Sequence, residues 1–132
     1  MGEAVVMEGG LSAETVDRRA AEFQVAGERA QRAVAFYARE VEARRLFVAL
    51  GYSSAVLWAV ERLRVGRSRA YELLMVGRKL EELPALDRAF ASGRLSWSVV
   101  RRVARVAVPE TVGRWIEECE GKRIDDRVEA RT

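Results

Sequence analysis

The chain has no histidine, one cysteine and two prolines in 132 residues. Without histidine, and with Cys119 alone, no Cys/His zinc site can form and no disulfide can close within the chain. Cys119 lies in TVGRWIEECEG, whose apolar spacing suits a helix, and is expected to be buried or half-exposed and chemically idle. Lysine is nearly missing too: Lys79 and Lys122 are the two, so 21 of the 23 basic residues are arginine. Arginine forks suit bidentate phosphate and guanine contacts better than an ammonium does. No apolar run approaches the roughly 18 residues of a membrane-spanning helix. The opening MGEAVVMEGG lacks the basic segment and long apolar core of a secretion signal, and Val6 stands where a myristoylation signal needs Ser or Thr. A cytoplasmic protein with no membrane partner is expected.

Catalytic patterns are also lacking. Glu81 and Glu82, Glu117 and Glu118, and Asp125 and Asp126 are adjacent pairs, which point in different directions on a helix and do not converge on a substrate. No phosphate loop, nucleophile elbow or metal-ligand spacing occurs. The expectation is a non-enzymatic chain without metal or cofactor.

What is present is helical. No window alternates apolar and polar residues with period two, so the fold class is all-α: a long N-terminal helix, then a helix-turn-helix and a small bundle of short helices. Residues 1–11 are glycine-containing and expected to be a disordered tail. Ser12 caps a helix that reads without proline through Ala, Arg and Glu to about Leu50, with Gly27 as a point where it bends or is interrupted. This helix, residues 12–50, carries two apolar stripes. One holds Phe23, Ala30, Val34, Tyr37 and Val41; the other holds Ala33, Phe36, Ala43, Phe47 and Leu50. Such a helix either packs on its own chain or pairs with a second copy, giving a homodimer.

Residues 51–121 read as a helical domain. Gly51 suits a left-handed stop, and Ser53 or Ser54 caps a helix from Ala55 to about Leu63. Gly66 caps the next, Arg67 to about Leu80. Pro84 starts a short helix that ends at Ser92 and Gly93, Ser96 caps Trp97 to about Ala107, and Pro109 opens a last helix stopping near Gly121. Trp58, Trp97 and Trp115 fit core anchors better than base-stacking platforms. Residues 122–132 form a charged tail.

Charge is concentrated within that domain. Residues 51–108 hold 11 basic and 5 acidic residues, whereas residues 1–50 and 109–132 carry net charges of −1 and −2, so the overall +3 conceals a local +6. In LWAVERLRVGRSRAYELL, Ala59, Leu63, Val65, Ala70 and Leu73 are placed to interlock two helices across a tight turn. Arg67, Ser68, Arg69 and Glu72, with Tyr71 at the edge, then form the solvent face of the second helix. Those side chains are candidates to read double-stranded DNA in the major groove. Arg62, Arg64, Arg78 and Lys79 flank them as candidate phosphate contacts, and Arg101, Arg102 and Arg105 on the following helix extend the track. A solvated arginine-rich surface is the plain alternative. Two residues depart from the common helix-turn-helix pattern: Arg64 stands at the turn position usually held by Gly, which demands a positive φ, and Val60 replaces a small residue.

The stretch RSRAYELLMVGRKLEELPALDRAFASGRLSWSVVRRV resembles the helix-turn-helix core of ParB/KorB-type partition proteins. The order of motifs from about Ala33 to Glu120 is closer still to a helical domain of unknown function found N-terminal to HNH nuclease modules in bacterial proteins. Those motifs are GYSS at Gly51 to Ser54, SRAYELL, ELPAL, GRLSWS, and PET at Pro109 to Thr111. The resemblance implies a DNA-associated role, and the partition proteins imply major-groove reading by the helix that starts at Arg67. Nuclease chemistry does not carry over, because an HNH site needs histidines; in a nuclease, the catalytic module would lie outside this chain. The competing expectation is a protein-interaction or dimerisation module built on the long first helix.

Overall fold

The computed structural model describes residues 7–27 and 30–120. The first six residues of the expected tail, Gly121 and the charged segment 122–132 lie outside the described residues. Among the described residues there are eight helices and no strand, which agrees with an all-α chain. No described helix is long and apolar enough to cross a membrane. The structure divides after Leu74 into two compact units.

In the first unit, the expected single helix over residues 12–50 is three helices: α1 (Ala13–Ala26), α2 (Gln31–Ala43) and α3 (Leu46–Ala49). Ser12 caps α1 through its hydroxyl, which accepts from the Thr15 N–H at 3.2 Å. Gly27 ends α1 with φ 92, a backbone state open to Gly at little cost and expensive for a residue with a Cβ. The chain then folds back. Gln24 meets Gln31, Phe23 stacks on Tyr37 at 6.2 Å, Arg19 reaches Tyr37, and Gly10 reaches Glu40. Pairings that run in opposite chain directions make α1 and α2 an antiparallel hairpin.

The physical reason for the break is burial. A straight helix would leave two apolar stripes in water, whereas the hairpin sequesters Val16 and Ala20 of α1 with Ala33, Val34, Tyr37, Ala38 and Val41 of α2. Folding back covers the stripe from Ala30 to Val41 within the chain itself, whereas on the second stripe Ala43 is exposed and Phe36, Phe47 and Leu50 are half-buried. The part of the expected disordered tail that is described is tied down: the Glu8 N–H donates to the Tyr37 hydroxyl and the Gly10 N–H to the Glu40 carboxylate, both at 3.2 Å.

After Gly51, at φ 91, Ser54 caps α4 (Ala55–Arg62) by accepting from the Leu57 N–H at 3.0 Å. Helix α4 packs on α2 and buries Trp58 completely. Replacing such a residue with Ala generally costs about 3–5 kcal/mol. Helix α5 (Arg67–Glu82) begins in this unit and ends in the second.

The second unit holds α6 (Pro84–Ala91), α7 (Trp97–Val106) and α8 (Val112–Cys119), each packed on the other two. Pro84 stands at the first helical position, where its missing N–H is no loss. Trp97 is 7 % exposed and stacks on Phe90 at 6.0 Å; Val100, Val103, Ile116 and Cys119 complete the core, while Trp115 is half-buried. Helix α8 starts three residues later than Pro109 suggests. Residues 108–111 are spent on a turn, closed by the Thr111 N–H on the Val108 carbonyl and the Val108 N–H on the Thr111 hydroxyl.

Candidate nucleic-acid interface

Helices α4 and α5 are joined by Leu63 to Gly66. Arg64 takes φ 61 there, the left-handed state expected from its place in the turn. A non-glycine residue in that region carries strain of order 1 kcal/mol, so the surrounding contacts must hold it. Those contacts are present. Leu63 is buried, its N–H closes α4 on the Ala59 carbonyl at 2.9 Å, and its own carbonyl accepts from the Gln24 amide at 3.4 Å. The Gly66 carbonyl accepts the first intrahelical bond of α5, from the Ala70 N–H at 2.9 Å. The N–H groups of Arg67, Ser68 and Arg69 therefore have no carbonyl of their own helix to bond.

Ala70, Leu73 and Leu74 are buried, as Ala59 and Leu63 are, and this fixes which way α5 turns its other side. Arg67, Ser68 and Arg69 are exposed, and Tyr71 is 56 % exposed. Among the described residues, the side chains of Arg64, Arg67 and Arg69 make no ion pair and no hydrogen bond. Three guanidinium groups and the N–H groups of a helix start that no carbonyl of the helix serves thus occupy one short segment, 64–69. Helix N-termini attract anions by the same N–H groups and by the aligned peptide dipoles.

Other expected site residues are placed differently. Glu72 is not on the exposed face: it is 9 % exposed. Arg62 is ion-paired, its Nε donating to Asp17 Oδ2 at 2.9 Å. Asp17 Oδ1 accepts from the Trp58 indole N–H at 2.9 Å, which ties α1 to α4. In the second unit Lys79 is half-buried and its ammonium donates to the Ala107 carbonyl at 2.7 Å, closing the end of α7, where a cation is favoured by the helix dipole. Arg78, Arg101 and Arg102 are half-buried and Arg105 is exposed, and each of the four engages a neighbour within the molecule.

Asp17 and Gln24 support the turn and did not stand out in the sequence. Their partners Trp58 and Leu63 lie 41 and 39 residues further on, and no local pattern announces a pairing across that span. Asp17 and Gln24 are two of several polar residues in α1, so composition did not single them out either.

Comparison of the chain with family profiles, with characterised proteins and with solved structures found no match.

Proposed function

We propose that this chain is a non-catalytic DNA-binding protein or domain, with α4 and α5 as a helix-turn-helix and the first turn of α5 entering the major groove. The observation that supports it most is the set Arg64, Arg67 and Arg69: exposed, unengaged by carboxylates among the described residues, and set where α5 begins. Arg67 and Arg69 take the part of base-edge readers, Ser68 and Tyr71 that of supporting contacts, and Arg64 that of a phosphate contact. The likeness to ParB/KorB-type cores, and to the helical domain that precedes HNH nuclease modules, supports the same reading. An accessory or regulatory role beside such a module follows from it.

The test is fluorescence anisotropy with labelled random-sequence duplex at about 50 and about 200 mM salt, a range over which phosphate contacts change affinity steeply. Binding that weakens with salt, and weakens again in the Arg67→Ala/Arg69→Ala variant, supports the proposal. Absence of binding at the lower salt overturns it.

A further inference from the structure

We propose that Asp17 is a positioning residue for Arg62, and that the two together form a pre-organised phosphate-binding arm at the end of α4. The inference rests on the DNA-binding reading above and deepens it. Asp17 bonds in two directions, with Oδ1 to the indole N–H of the wholly buried Trp58 and Oδ2 to Arg62 Nε. The buried indole fixes the carboxylate, and the carboxylate fixes the guanidinium by its inner nitrogen. The side chain of Asp17 is 17 % exposed and that of Arg62 is 41 % exposed, so the fixed end is the covered one.

Among the described residues, Arg62 has no partner other than Asp17. Both of its Nη nitrogens are therefore open, and two parallel N–H groups match two oxygens of a phosphate. An arginine normally loses side-chain freedom when it docks; one already held at Nε has lost part of it beforehand. A simple surface ion pair behaves otherwise. Its carboxylate would repel the duplex, and removing that carboxylate would tighten binding.

The two accounts predict opposite signs for one variant. Asp17→Asn keeps an oxygen for the Trp58 indole and abolishes the charge that holds Arg62. In the duplex titration, Arg62→Ala is expected to weaken binding roughly three- to tenfold, the usual worth of one hydrogen-bonded contact. It should also lower the salt slope by about one. Asp17→Asn is expected to weaken binding in the same direction with the same change of slope, and the double variant to bind no worse than Arg62→Ala alone. Thermal melting of each variant separates this from a purely structural role, which moves the melting temperature and leaves the slope alone. Tighter or unchanged binding by Asp17→Asn overturns the inference, as do losses that simply add. If wild type binds, Arg67→Ala/Arg69→Ala does not, and Arg62→Ala is neutral, the arm is disproved and the DNA-binding reading stands. If wild type does not bind duplex at all, both fall.

Discussion

The segment 64–69 and helix α7 each carry three arginines within six residues, and the fold treats them differently. Arg64, Arg67 and Arg69 make no side-chain ion pair or hydrogen bond among the described residues, while Arg101, Arg102 and Arg105 each engage a neighbour within the molecule. Burial follows only in part: Arg64, Arg67 and Arg69 are exposed and Arg101 and Arg102 half-buried, but Arg105 is exposed and engaged all the same. A guanidinium whose outer nitrogens are engaged must give up that interaction to meet a phosphate, and one that is not engaged gives up only water. The number of arginines in a stretch is thus a poor measure of its attraction for nucleic acid; what matters is how many remain unsatisfied after folding.

The largest effect that tests this contrast comes from paired substitutions. Arg67→Ala/Arg69→Ala is expected to reduce the salt slope of duplex binding by about two, and Arg101→Ala/Arg102→Ala by less than one. Equal slopes in the two variants would erase the distinction. Lys79→Met should lower stability by about 1–2 kcal/mol, because the Ala107 carbonyl loses a charged donor. The same variant should leave the salt slope of DNA binding unchanged, so a titration beside a thermal melt reveals whether Lys79 closes a helix or contacts phosphate.

Arg64→Gly separates two properties of one residue. Relief of the positive φ should stabilise the fold by up to about 1 kcal/mol, while loss of the guanidinium lowers the salt slope by about one. A destabilised variant would show that the arginine side chain supports the turn more than its backbone strains it. The smallest effect concerns Arg94 and Glu120, joined by two hydrogen bonds of 3.1 and 2.8 Å. The bonds from Arg94 hold the Glu120 carboxyl below its ordinary range. A lowered folded-state value contributes stability above the unfolded value, and the contribution disappears as pH falls through the folded one. Both groups are exposed, so the melting temperature of Glu120→Gln should sit slightly below that of wild type at neutral pH and converge with it in acid. A constant gap across that range would remove the ion pair as its cause.

Local signals in the chain had local consequences. Ser12, Ser54 and Ser96 cap helices in the structure, because a hydroxyl bonding an N–H three residues ahead needs nothing from elsewhere. Gly51 and Gly93 take positive φ, and Arg64 does so where the turn demanded it. The solvent face of α5 was legible at Arg67, Ser68, Arg69 and Tyr71, since a period of 3.6 residues sets those directions once Ala70 and Leu73 are known to be inside. Glu72 escaped that reasoning, because a residue at the margin of a stripe is covered or uncovered by what packs on its flank.

Amino-acid order alone determined that this chain is helical, where most of its helices begin, and that its middle is basic, all consequences of interactions within a few residues. Tertiary structure decided that residues 12–50 fold back at Gly27 instead of running straight, because the hairpin takes the stripe from Ala30 to Val41 out of water against α1. It also decided which cations are engaged and which are not. That division depends on partners such as Asp17 and Ala107, brought in from 45 residues before Arg62 and 28 after Lys79. Burial and charge pairing over such spans are properties of the packed chain, and no stretch of sequence carries them by itself.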